Sequence, residues 1–130
     1  MTRINAGIPA KRLTGKHLIA EHREIKRIPN VIAKGKYNMK GQPKDFTLGT
    51  GHVKFFYDKL GYLKQRYEEL YKECINRGYN VQYYGEAWDS IPSELMGQYK
   101  PTQQAIEIIM ERLTSKDKSY GFKTSHTAKL

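Results

Sequence analysis

Residues 51–78, GHVKFFYDKLGYLKQRYEELYKECINRG, are the stretch on which the fold turns. Val53, Phe56, Leu60, Leu63, Tyr67, Leu70 and Cys74 recur at alternating intervals of three and four. A helix turns once every 3.6 residues or so, so this spacing lays them along one apolar seam. The seam predicts a single long helix from about residue 51 to residue 77. Gly78 follows where a left-handed C-terminal cap belongs. A seven-residue repeat also suits a coiled coil, but about four heptads in so short a chain favour a helix buried in a core. Tyr57, Tyr62 and Tyr71 are expected to pack rather than to stack on nucleobases.

Upstream, TGKHLIAEHREIKR at 14–27 reads as a second helix with Thr14 as its N-cap. His17, Glu21 and Glu24 share one face, and Leu18, His22 and Ile25 form a neighbouring, more apolar stripe. Pro29 lacks an N–H and disfavours helical geometry at Ile28, so the helix is expected to end there. PNVIAKGKYNMKGQPK at 29–44 then reads as a basic loop, of a length uncommon unless functional or mobile. Downstream, residues 79–100 are irregular and aromatic, with a short helical turn at Pro92. A third helix starts after Pro101, capped by Thr102, with Ala105, Ile108, Ile109 and Leu113 as its buried stripe. Arg112 and Lys116 are expected to project from its end. The tail, DKSYGFKTSHTAKL, has no periodicity. The expected fold is all-α: one compact domain over 1–130, built on three main helices with irregular loops.

Bulk composition narrows the function. No apolar run approaches the roughly 20 residues of a membrane span, and the N-terminus lacks the apolar stretch of a signal peptide. With Cys74 as the sole cysteine, these features predict a cytoplasmic protein with no disulfide and no membrane partner. Lys and Arg total 23 against 13 acidic residues, a net charge of +10. A folded domain this basic usually meets a polyanion, nucleic acid first of all.

The common catalytic motifs are missing: no GxSxG, Walker loop, HExxH or paired CxxC occurs. His17, His22, His52 and His126 show no ligand spacing, and His52 and Asp58 face apart, so no metal and no cofactor are expected. What remains is Met1-Thr2-Arg3. A small second residue permits removal of the initiator methionine and leaves Thr2 with a free α-amine. An α-amine has a pKa of about 7.7–8.0 against about 10.4 for lysine, so roughly a tenth is uncharged at pH 7. Such an amine can attack an electrophilic carbon and form a Schiff base. Threonine at position 2 is common, however, and carries no chemistry by itself.

Five blocks add to this: MTRIN at 1–5, HLIAEHREI at 17–25, FTLGTGHVKFFYDK at 46–59, ECINRGYN at 73–80 and YKPT at 99–102. Together, and in this order, they resemble the phage-type pyrimidine-dimer DNA glycosylases. The resemblance implies a compact all-α fold with the N-terminal segment inserted between helices. It implies excision of UV-induced cyclobutane pyrimidine dimers through a Schiff base on the Thr2 amine, then strand cleavage by β-elimination. Thr2 falls at the family nucleophile and Glu24 at its essential carboxylate. Arg3, Arg23 and Arg27 fall at basic residues that hold the DNA, and His17 at an active-site histidine. Arg112 and Lys116 match phosphate-contacting positions by a looser alignment. The implied partner is double-stranded DNA carrying pyrimidine dimers or abasic sites, bound by a monomer.

The spacing agrees with these roles, since a continuous helix would present Glu24 between Arg23 and Arg27. Guanidinium forks also suit phosphate better than ammonium groups do. There are departures. Position 22 is histidine where the phage members carry tyrosine, position 16 is lysine rather than glutamine, and in the tail only Tyr120, Gly121 and Phe122 resemble the aromatic family end. Two alternatives share the scaffold: a glycosylase for another modified or oxidised base, and a non-catalytic protein that binds damaged DNA.

Overall fold

The seam buries, but in two helices rather than one. The computed structural model describes residues 2–116, with side chains through residue 114. In chain order its helices are α1 (Gly15–Glu24), α2 (Arg27–Ala33), α3 (His52–Phe55), α4 (Leu60–Asn76) and α5 (Gln103–Lys116). Short 3₁₀ turns lie at Ala10–Arg12, Gly85–Trp88 and Ser93–Leu95. Among the described residues there is no strand beyond an isolated bridge between Lys59 and Met96, so the all-α expectation holds.

The predicted helix over 51–77 breaks at residues 56–59 because another part of the chain crosses there. The Tyr62 N–H donates to the Gly97 carbonyl at 3.0 Å. That N–H sits in the first turn of α4, where it has no helical partner, so the crossing segment supplies one. The approach leaves no room for side chains: a Cβ on Gly61 would lie 2.6 Å from the Met96 carbonyl oxygen, and one on Gly97 would collide with that of Asp58. Phe55 and Phe56, either side of the break, meet Tyr99 at ring separations of 5.1 and 6.1 Å, both edge-on.

Six of the seven seam residues are buried, from Phe56 to Cys74, while Val53 is only half covered. They face Leu18 and Ile25 from the region of α1, Ile28 and Ile32 of α2, and Ala105, Ile109 and Leu113 of α5. Each such aliphatic side chain contributes about 1.5–3 kcal/mol on burial. On α5, Met110 is buried in place of the expected Ile108, which is half exposed. Tyr57, Tyr62 and Tyr71 pack against this core, as expected. The α4 helix ends as predicted. Gly78 adopts φ 78°, its N–H reaches the Ile75 carbonyl, and the Tyr79 N–H reaches that of Cys74. That is the Schellman pattern.

Pro29 does not begin a loop. The first helix stops at Glu24, the chain bends through Ile25 and Lys26, and Pro29 lies in the first turn of α2, where a missing N–H costs nothing. The loop therefore starts near Lys34. Thr14 precedes α1, but its side chain makes no capping hydrogen bond. Thr102 does cap α5: the Ala105 N–H donates to its hydroxyl at 3.0 Å.

The N-terminal segment is the element that positions the site. Ile4, Asn5, Ala6, Ile8 and Ala10 are all buried. The segment is bonded to α3 through Ile4, to α1 and α5 through Asn5, and to α4 through Ile8. It is inserted between the helices, as expected. No described helix is long and apolar enough to cross a membrane.

Candidate active site

A cleft of about 680 Å³ opens where the N-terminal strap meets α1. Arg3 and Asn5 line it from the strap, His17, Glu21, Arg23 and Glu24 from α1, and Arg112 from α5. Lys16 and Tyr79 complete its rim. Cations outnumber carboxylates around the opening, with Arg3, Lys16, Arg23 and Arg112 against Glu21 and Glu24, an arrangement suited to a polyanion.

The two glutamates of α1 meet different fates. Glu21 is sealed. Its carboxylate takes Arg66 Nε at 2.7 Å and Arg66 Nη2 at 2.9 Å, and also the Asn5 side-chain amide at 2.8 Å and the Asn5 backbone N–H at 3.3 Å. Burial alone works against the Arg66 charge, but Glu21 overrides it and pushes the guanidinium further up from its ordinary range. Glu24 faces the cleft, with 14% of its side chain exposed, and accepts one bond of 3.2 Å from Arg23. Arg23 is itself 54% exposed. An ion pair with so open a partner contributes at most about 1 kcal/mol, so Arg23 can exchange the carboxylate for a phosphate at little cost to the fold.

Thr2 is buried and lies next door. It lines a smaller hollow of about 370 Å³ with His52, Lys54 and Tyr57, and Arg3 stands on the wall of both spaces. The strap thus carries the start of the chain to the edge of the cleft that holds Glu24. Met1 lies outside the described residues.

The other predicted site residues divide. Arg3, His17 and Arg23 line the cleft with Glu24. Arg27 does not: the break after Glu24 puts it at the start of α2, exposed and off the cleft wall, so no single helix carries an Arg23–Glu24–Arg27 clamp. Arg112 does not project from a helix end. It is half buried and donates to the Asn5 side-chain oxygen at 3.2 Å, and burial together with the Arg3 charge lowers its pKa. The side chain of Lys116, and Tyr120, Gly121 and Phe122, lie outside the described residues. Among the described residues, no group of three or more His, Cys, Asp or Glu is placed to hold a metal ion.

Sequence reasoning missed Asn5, Arg66 and His52. A signal for Arg66 was present: it sits three residues after Leu63 and four before Leu70, on the apolar face of α4. A cation there needs a buried carboxylate, and Glu21 on α1 is that carboxylate.

Residues 1–84 match the family described as pyrimidine dimer DNA glycosylase. The match takes in the strap, α1 to α4 and every cleft residue named above except Arg112. With most of its length so matched, the chain belongs to the pyrimidine dimer DNA glycosylase family, whose members are DNA-repair enzymes.

Proposed function

We propose that the protein excises cyclobutane pyrimidine dimers from double-stranded DNA through its own N-terminal amine and then cuts the strand as an abasic-site lyase. The observation that carries this reading is the strap itself, pinned at Ile4, Asn5 and Ile8, which brings Thr2 to the border of a cationic cleft containing Glu24. Once the methionine is gone, the uncharged Thr2 amine gives its lone pair to C1′ of the damaged nucleotide. The bond from C1′ to the base breaks and its electrons leave with the base. Glu24 stabilises the oxocarbenium character at C1′ or protonates the sugar ring oxygen, whose departure leaves a C1′=N Schiff base. A proton then leaves C2′, assisted by Glu24, and the 3′ C–O bond breaks, releasing a strand with a 5′-phosphate. Water hydrolyses the remaining imine and restores the amine. Arg3, His17, Arg23 and Arg112 hold the distorted DNA over the cleft, while Arg27 and Lys116 contact phosphates farther out. A stacked duplex hides the reacting carbon, so the DNA is kinked and a nucleotide extruded. The chain does this as one domain and as a monomer, in the cytoplasm, with no metal or cofactor.

Borohydride trapping on dimer-containing and abasic duplexes tests the reading. The expected result is a covalent adduct with both, which is lost when the α-amine is acetylated or Met1 is retained. Thr2→Ala keeps the amine and should keep much of the activity. Binding of damaged DNA without any adduct would mark a non-catalytic protein. Trapping on another lesion but not on dimers would mark a glycosylase of different specificity. An adduct formed at the normal rate by an amine-blocked protein would move the nucleophile to a lysine.

A further inference from the structure

Two hydrogen bonds fix the chemical state of a side chain that the proposed mechanism leaves unused. His52 opens α3 and is buried; its Nε2 accepts the backbone N–H of Ile4 at 2.9 Å. Its Nδ1 lies 2.8 Å from the carbonyl oxygen of Thr47. A backbone N–H only donates and a carbonyl only accepts. One form of the ring satisfies both: neutral, with its proton on Nδ1. Burial is the main force holding His52 below the usual histidine range. The Thr47 carbonyl pulls the other way, the charges of Arg3 on the strap and Arg112 on α5 push the ring further down, and that of Glu21 on α1 pushes it up. Phe46 and Phe56 meet the ring edge-on, at centroid separations of 5.4 and 5.5 Å, so it cannot swing aside without parting two aromatic contacts.

The position of the group it holds is what matters. Ile4 lies in irregular backbone and is buried, so without His52 its N–H has no secondary-structure partner. It is two residues from Thr2, about 7 Å of extended chain. The other anchors, Asn5 on Glu21 and Ile8 on Arg66, lie farther along the strap. Among the described residues, the bond from Ile4 to His52 is the strap's anchoring hydrogen bond nearest its reactive end.

Resting on the reading that the Thr2 amine is the nucleophile, we infer that His52 is the positioning residue for that amine: its neutral ring grips the strap at Ile4 and sets where the amine meets C1′. It touches Ile4 and Thr47 rather than the substrate, so it acts through the strap. Misplacing a reacting group by 1 Å costs on the order of a hundredfold in rate, so a loose strap should show in the rate rather than in DNA affinity.

The test removes the donor and leaves every side chain in place. Ile4 is replaced by its α-hydroxy acid, so that an ester oxygen stands where the N–H was. His52→Gln, which keeps an acceptor near the position of Nε2, and His52→Phe, which keeps a ring without one, are made alongside. Borohydride trapping is measured at saturating abasic duplex, together with Kd and melting. The ester protein is expected to trap at least about fivefold more slowly at saturation, with Kd within about twofold of the parent, consistent with the positional cost above. Any smaller loss overturns the inference. Should the ester protein not fold, the pair of His52 variants decides: Gln must trap at least about fivefold faster than Phe, and a smaller difference overturns it. Acetylation of the parent protein separates the two levels. If the acetylated protein still traps, the nucleophile assignment fails. If acetylation abolishes trapping while the ester protein matches the parent, only the role of His52 fails.

Discussion

Glu21 and Glu24 stand three residues apart on one helix, yet one is part of the fold and the other is available for chemistry. Glu21 has 1% of its side chain exposed and is saturated by Arg66 and Asn5. Glu24, one turn on, has 14% exposed and, among the described residues, a single partner that is largely in solvent. The difference arises from what faces each. Glu21 points at α4 and the strap, where a buried guanidinium answers it, whereas Glu24 points into the cleft. The Glu21 oxygens already accept four hydrogen bonds from the fold, whereas Glu24 is held among the described residues only by the exposed Arg23.

The largest effect should come from breaking the sealed pair. Arg66→Met leaves Glu21 buried without its cation, and urea unfolding should show a loss of about 3–5 kcal/mol. A loss below about 1 kcal/mol would mean the pair is not what closes this side. Glu24→Gln should do the reverse: stability within about 0.5 kcal/mol of the parent, affinity for damaged DNA retained, and turnover at least about a hundredfold lower. Parental turnover in that variant would remove Glu24 from the mechanism.

These two glutamates also mark how far the sequence could be read. The heptad seam, the cap at Gly78, the α5 start at Thr102 and the all-α class were legible because each depends on local spacing. Glu24 and Arg3 were legible only through the family resemblance. The break at 56–59 was not, because its cause is the crossing of residues 96–97, far downstream in the chain. The Arg27 position failed for a related reason: a helix end three residues earlier than expected rotates everything after it off the face. The grip of His52 on Ile4 spans 48 residues and has no local signature.

A smaller effect should follow from pH, again on the sealed side. His22 is stacked on Tyr67 with its ring nitrogen 3.2 Å from the Tyr67 hydroxyl, and burial lowers its pKa, as it does for His52. With folded values below the usual 6.5, the unfolded chain binds protons more readily than the folded one as the pH falls. Their contribution is therefore complete above about pH 6.5 and is lost as the pH falls from there through the folded values. Each proton is worth at most about 1.4 kcal/mol per pH unit. Denaturant unfolding at pH 7 and 5 should show the fall, and a protein equally stable at both would contradict the buried, neutral state of the two rings.

The smallest effect should appear on the open side, in salt dependence. Arg23→Ala should flatten the log–log dependence of binding on salt by roughly one unit and narrow the preference for lesion over normal duplex. Arg27→Ala, off the cleft, should flatten the slope by a similar amount but weaken both duplexes alike. If both substitutions alter the preference equally, the cleft is not where the lesion is read.

The crossing at Gly97 has a consequence for where this protein can be divided. The family match stops at residue 84, which invites treating the first 84 residues as a portable enzyme. Yet the carbonyl that caps α4 at Tyr62 belongs to Gly97, and the ring that covers Phe55 and Phe56 is Tyr99. Truncation at 84 would strip the plug from its own socket, exposing two phenylalanines and uncapping α4. The boundary drawn by shared ancestry runs through an interlock rather than around one. Grafts or circular permutations should leave 56–62 and 95–99 together on the same piece.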